Sequence, residues 1–223
     1  MNVKILKAKD PGSAITHFIG TLMAVFATAP LLIKAAKPDA VHILSLSVFI
    51  LSMILLYVAS TIYHTFNNSE KVIRRLKKLD HMAIYILIAG TYTPICLIVL
   101  GGIRGIVLLS IIWGMAIAGI ILTGFWVHCP KWVSSIIYIA MGWTCVLAFT
   151  QIINALPQAA FYWLLAGGII YTVGGVIYAL KLPFFNNKHK YFGSHEIFHL
   201  FVMGGSLCHF ILMYKFIAEM PIK

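Results

Sequence analysis

Seven apolar stretches, each about the length of a membrane crossing and separated only by short polar breaks, take up nearly the whole chain. They run near 14–33, 42–66, 80–100, 105–127, 132–153, 160–181 and 195–217. A helix needs roughly 20 apolar residues to cross about 30 Å of hydrocarbon. No water is present there to bond the backbone, so only helices or closed barrels cross. Of the 223 residues, 61% are apolar and only 10% charged, a balance that no soluble domain of this length tolerates on its surface. The sequence therefore predicts an all-α, seven-helix transmembrane bundle forming one domain over residues 1–223. The breaks carry turn chemistry: Lys37-Pro38-Asp39, Asn67-Asn68-Ser69, Gly101-Gly102, Cys129-Pro130-Lys131, Asn154 to Pro157, and Pro183 to Gly193.

If the helices alternate in direction, the cations divide unevenly between the two faces. One side collects Lys4, Lys7 and Lys9, then Lys71, Arg74, Arg75, Lys77 and Lys78, then Lys131, and finally Lys181, Lys188 and Lys190. The other holds Lys34, Lys37, Arg104, Lys215 and Lys223. The positive-inside bias then puts the N-terminus in the cytoplasm and the C-terminus outside. The net charge of +11 is spread over loops and termini with no nucleic-acid fold around it, so its expected partners are anionic lipid headgroups at the cytoplasmic face. Residues 70–79 set Val72, Ile73, Leu76 and Leu79 among five cations, the pattern of a short interfacial helix.

Lys4 to Lys9, the following apolar run and Ala27-Thr28-Ala29 imitate a signal peptide. Pro30 after the apparent cleavage site and an apolar run that continues through Ile33 favour a retained span instead. Cys96, Cys129, Cys145 and Cys208 lack paired spacing and are read as small packing residues. Gly114 and Gly119, Gly167-Gly168, Gly174-Gly175 and Gly204-Gly205 are expected where helices approach closely. Pro94 should kink the third helix, with Thr91 and Thr93 able to satisfy freed backbone groups.

Against this apolar background the few polar residues stand out. On the alternating topology, Ser60 and His64 at the end of helix 2, Asp80 and His81 at the start of helix 3, and His195 and His199 at the start of helix 7 meet at one membrane level. Ionisable groups at that depth are costly and mark functional sites by default. His195 and His199 are four residues apart, hence on one helix face, and can grip a single ion together. His64, His195 and His199 with an open fourth position match the ligand set of catalytic zinc. Asp80 is then the candidate general base or orienter of a water, and Ser60, one turn deeper than His64, the candidate donor to a substrate carbonyl. His17 and His81 are candidates to support the site, whereas His42, His128 and His189 read as loop or interface residues. His209 lies about 21 Å beyond His195 along the helix and is expected to bond across a helix contact.

A second zinc reading exists, because His195-Glu196-Ile197-Phe198-His199 is H-E-x-x-H, with Glu196 as its general base and Glu219 as a third ligand. In a continuous span, however, Glu219 sits about 30 Å from His199, at the far membrane face. Glu196 also points about 100° away from His195 around the helix.

Taken together, Ser60-x-x-x-His64, Asp80-His81 with Ala89-Gly90-Thr91-Tyr92-Thr93-Pro94, and His195-x-x-x-His199 with Gly204-Gly205-Ser206-x-Cys208-His209 resemble the hemolysin III family, the bacterial branch of the progestin and adipoQ receptor superfamily. The resemblance runs from about Ile15 to Tyr214. It implies a seven-helix bundle in a bacterial cell membrane, with zinc near the cytoplasmic face held by His64, His195 and His199, and with Asp80 and Ser60 lining the site. The chain departs from the pattern in one place. Asp10-Pro11-Gly12-Ser13 precedes Thr16-His17 where relatives often carry a glutamate pair and an asparagine, so any role of that acidic motif is either missing here or has passed to Asp10.

The superfamily includes alkaline ceramidases. The expected function is accordingly a zinc-dependent intramembrane hydrolase of a lipid amide or ester, or a factor in membrane-lipid homeostasis. The alternative is a pore-forming hemolysin or a receptor-like sensor in which zinc is structural.

Overall fold

The computed structural model describes residues 8–126, 129–180 and 193–223. His128, His189 and the cations Lys4, Lys7, Lys181, Lys188 and Lys190 lie outside these residues. The described residues are helical, and seven segments are long and apolar enough to cross a membrane. Helix α1 spans Pro11–Ala35, α2 Ala40–Thr65, and α3 Glu70–Pro94, which runs on as a π-helical stretch over Ile95–Leu100. Helix α4 covers Gly102–Phe125. The fifth span joins α5 (Lys131–Gly142) through a 3-10 stretch (Trp143–Ala148) to α6 (Phe149–Ala155). The last two spans are α7 (Gln158–Leu180) and α8 (Ser194–Leu212), the latter ending in a π-helical Met213–Ile217.

The boundaries follow local chemistry. Pro11 starts α1, where a missing N–H costs nothing. Asp39 caps α2 by accepting from the amides of Val41 and His42 at 2.8 and 3.1 Å. Gly101 and Gly102 turn the chain between the third and fourth spans at φ values of 59° and 47°, where a side chain would be strained.

Two expectations change. Residues 70–79 are helical but form the first turns of α3, with no break before the span. Val72, Ile73 and Leu76 are half-buried while Leu79 turns outward. The fifth span, expected as one helix over 132–153, is interrupted. The Tyr92 hydroxyl donates to the Gly142 carbonyl at 2.6 Å and accepts from the Cys145 amide at 2.7 Å, so a side chain from α3 occupies the helix ladder at that point. At Pro94 the Thr91 and Thr93 hydroxyls bond the Leu87 and Ala89 carbonyls; neither reaches the Gly90 carbonyl that the proline leaves without its N–H.

Helix α1 packs on α2, α2 on α3, α3 on α5, α5 on α7, α7 on α8, and α8 back on α1. Six spans thus close a ring, and α4 lies outside it against α3. Every residue from Ala89 to Cys96 is buried, which makes the third span the most enclosed. Its core contacts divide in two: Leu46, Phe49 and Ile50 of α2 with Leu212 and Ile217 of the last span on one side, Leu108, Ile112 and Ala116 of α4 on the other. Phe26, Ile33, Ile103, Phe125 and Leu147 face outward, as a surface solvated by lipid requires.

Glycines set the closest approaches, as expected for helices that gain no hydrophobic energy by leaving lipid. Gly119 lies under the Tyr85 ring, Gly167 against His209, Gly174 against Phe201 and Gly205 against Tyr171. Gly114 and Gly168, expected at contacts, face open space instead. Gly90, pressed on Ser52, is a contact that the sequence did not single out.

Candidate metal centre

The ring of spans brings His64 from the last turn of α2 together with His195 and His199 from the first turns of α8. One nitrogen of each lies within 4.8 Å of the others. His64 and His199 are buried and His195 is half-buried. The Nε2 atoms of His64 and His195 are 3.2 Å apart. A tetrahedral ion with bonds of about 2.0–2.1 Å sets its ligand nitrogens roughly 3.3–3.4 Å apart, so the residues fit such an ion.

Donor roles follow from the surrounding hydrogen bonds. Asp10, immediately before α1, is bonded through its amide to the His64 carbonyl at 2.9 Å and through Oδ2 to His64 Nδ1 at 2.9 Å. A carboxylate there draws the imidazole proton to Nδ1 and leaves the Nε2 lone pair facing the cluster. The Thr16 hydroxyl donates to the Gly12 and Ser13 carbonyls at 3.0 Å each, so at 3.3 Å from His199 Nδ1 its oxygen accepts. His199 Nε2 is thereby also left as a lone pair.

Beyond the histidines lies a largely apolar cavity of about 170 Å3. It is lined from α1, α2, α3, the fifth span, α7 and α8, with none of its wall from α4. Ser60, Asp80, His81, His195 and His199 all contribute to the wall. Asp80 is buried, with the nearest His81 nitrogen 3.6 Å from its carboxylate. Ser60 sits beside Asp80, yet its buried hydroxyl completes no hydrogen bond.

A family model described as haemolysin-III related matches residues 6–210. This chain belongs to the hemolysin III family. It is 42% identical over 200 residues to Hemolysin-3 of Bacillus cereus, covering 89% of this chain and 87% of that protein. It is 39% identical over 215 residues to the Hemolysin-3 homolog of Bacillus subtilis (strain 168), 96% of each chain. A more distant similarity, 28% over 173 residues, 74% of this chain and 67% of the other, links it to the human Monocyte to macrophage differentiation factor and so to the progestin and adipoQ receptor superfamily. The kinship and the seven spans make it a multi-pass membrane protein.

In this hemolysin III protein the expected residues fall into three groups. His64, His195 and His199 converge, with Ser60 and Asp80 in the wall of the adjoining cavity. Glu196 does not join them: its Oε1 accepts from Ser13 Oγ at 2.7 Å and its Oε2 from the Gly193 amide at 2.8 Å, fastening α8 to α1. Glu219 pairs with Lys37 at 2.9 Å and Lys34 at 3.2 Å at the opposite end of the bundle. The H-E-x-x-H protease reading fails on these two contacts. His81 bonds the Lys77 carbonyl at 2.9 Å, and His42 joins Asp39 at 2.9 Å to the Met220 carbonyl at 2.7 Å at the far end.

His17 is the residue that sequence reasoning underrated. Its ring stacks on His199 at 3.7 Å, lines the cavity and leaves both nitrogens without a completed hydrogen bond. Its place in the second turn of a hydrophobic helix, directly after Thr16, was the only available signal.

Proposed function

We propose that this protein is a zinc-dependent intramembrane hydrolase that cleaves an amide or ester bond of a membrane lipid. The reading rests above all on one juxtaposition: two buried imidazoles and a half-buried third converge on a point at one end of a largely apolar cavity. Zinc held by His64, His195 and His199 supplies a Lewis acid that polarises a carbonyl and makes water nucleophilic near neutral pH.

The chain's own groups divide the remaining work. Asp10 orients His64, and Thr16 orients His199. Asp80 orients the attacking water, takes its proton on a carboxylate oxygen and returns it to the amine or alkoxide that leaves when the C–N or C–O bond breaks. Ser60 donates its unused hydroxyl to the carbonyl oxygen of the substrate. The apolar wall excludes bulk water and receives the acyl chain, which enters from the bilayer between helices. Lys71, Arg74 and Arg75, exposed at the same end, meet anionic headgroups.

The test is metal content by mass spectrometry on purified wild type and on His64→Ala, His195→Ala and His199→Ala, followed by turnover of ceramides and phospholipids. About one zinc per wild-type chain, lost in folded variants, with turnover abolished in a zinc-loaded Asp80→Asn, is the expected result. A folded, metal-free wild type, or lipid hydrolysis undiminished in those variants, overturns the reading.

The name Hemolysin-3 carried by two relatives favours membrane lysis as the second reading. Conductance through liposomes by protein that hydrolyses no lipid would support it. The largely apolar interior of a single chain argues against an aqueous path, so such a pore would need several copies.

A further inference from the structure

Two lysines stand beside the histidine cluster, each resting on an aromatic ring that neighbours one of the three imidazoles. Lys9 Nζ lies 3.4 Å from the centre of the Tyr63 ring, whose own centre is 4.6 Å from that of His64. The same ammonium is 3.4 Å from Asp10 Oδ2, the oxygen that lies 2.9 Å from His64 Nδ1. Lys131 Nζ lies 4.2 Å from the centre of the Tyr178 ring, which lines the cavity 5.4 Å from the His195 ring and stacks on Phe198 at 4.8 Å. Both lysines are half-buried, and backbone fixes where each begins. The Lys9 amide bonds the Thr65 carbonyl at the end of α2 at 3.3 Å, and Lys131 is the first residue of α5.

This placement sets the pair apart from the exposed basic surface of α3. A ring face attracts an ammonium without fixing its three N–H groups as an oxygen would. The Lys9 charge bears on His64 and Asp80 and the Lys131 charge on His195, so both reach the groups assigned to the chemistry. Cations also outnumber carboxylates at this end. Of the six carboxylates in the chain, Asp39 and Glu219 lie at the far end, Glu70 pairs with Arg74, and Glu196 is bonded to Ser13 and the Gly193 amide. Asp10, shared between His64 and Lys9, and Asp80 are the two that remain.

We propose that Lys9 and Lys131 bind the phosphate of the substrate headgroup while its carbonyl sits at the histidine cluster, so that the lipid cleaved is an anionic glycerophospholipid. The proposal deepens the lipid-hydrolase reading and rests on it for the position of the carbonyl. In such a lipid the phosphate is a few bonds from the nearer ester carbonyl, which matches cations set one aromatic ring away from the imidazoles. A ceramide or a diacylglycerol presents only hydroxyls there and gives the lysines no charge to meet. Water splits the acyl C–O bond: its hydroxyl joins the acyl carbon, and its other proton passes to the glycerol oxygen of the lysolipid.

The test is calorimetric titration of the purified full-length chain, carrying Asp80→Asn to block turnover, with dihexanoylphosphatidylglycerol, dihexanoylglycerol and inorganic phosphate. Salt is held at about 0.15 M, where exposed charges are screened beyond about 8 Å. The phosphatidylglycerol is expected to bind roughly tenfold more tightly than the uncharged lipid, the value of one charge-assisted hydrogen bond. Lys9→Gln and Lys131→Gln should each lose most of that preference, and Lys131→Arg should keep it. Equal binding of the two lipids overturns the proposal. An equal loss in Lys71→Gln, an exposed cation of the same end, also overturns it, by assigning the attraction to diffuse surface charge. Inorganic phosphate bound as tightly, with the same lysine dependence, overturns it in favour of a free anion. Hexanoate release by the chain with Asp80 intact separates the proposal from the reading beneath it. Faster release from N-hexanoylsphingosine than from the phosphatidylglycerol overturns the proposal and leaves the hydrolase standing. The binding preference without hexanoate from any lipid supports the phosphate site and overturns the hydrolase.

Discussion

A histidine gives its lone pair to a cation only when its other nitrogen is committed elsewhere, and Asp10 makes that commitment for His64. The contact depends on backbone as well as side chain, since the Asp10 amide is bonded to the His64 carbonyl. If the cluster holds zinc, Asp10→Ala should weaken metal affinity about 10- to 100-fold, as loss of such outer partners does. Asp10→Asn should weaken it less, because its amide oxygen still accepts from Nδ1–H. Competition with a chelator of known affinity measures both. Unchanged affinity in Asp10→Ala would mean that the carboxylate only ties α1 to α2. Glu196 makes the opposite point. A residue inside a well-known zinc motif is here spent on joining α8 to α1 through Ser13 and the Gly193 amide.

Among the elements, the third span organises the rest. It is packed on α2, α4 and α5, and it sends Tyr92 into the backbone of the fifth span. That insertion turns the chain through a 3-10 stretch where Gly142, Trp143, Cys145 and Phe149 all border the cavity. The interruption and the cavity wall coincide. Helix α4, outside the ring, meets α3 where Gly119 faces Tyr85, while Gly114 faces open space. Gly119→Ala should therefore cost about 1–3 kcal/mol, the range for overpacking a close contact. Gly114→Ala should be neutral or slightly stabilising, since alanine is the better helix former. Thermal unfolding in detergent reads both. Equal effects at the two glycines would refute the assigned packing of α4.

For the whole molecule, the charge at its two ends bears on which face the cluster occupies. The end bearing it carries Lys9, Lys71, Arg74, Arg75, Lys77, Lys78 and Lys131, and the other end is held by His42 and by Glu219 with Lys34 and Lys37. Positive-inside bias predicts that the cluster lies at the cytoplasmic face. Cys129, between α4 and α5 and partly exposed, reports on it. A membrane-impermeant maleimide should label Cys129 in inverted vesicles and leave it untouched in intact cells. Labelling in intact cells would reverse the orientation.

The number of spans, their approximate limits and the three convergent histidines were legible from the sequence, because each follows from spacing along one helix or from alternation across a membrane of fixed thickness. Apolar runs count crossings, and four-residue spacing puts His195 and His199 on one face. What only the tertiary structure decided depends on contacts between residues far apart in the chain. Asp10 meets His64 across 54 positions, Ser13 meets Glu196 across 183, His17 stacks on His199, and Tyr92 breaks a helix 50 residues away. No local periodicity encodes those distances. They arise because six spans close into a ring, and the closing of that ring selects which polar groups find partners and which, like Nδ1 of His209, are left without one.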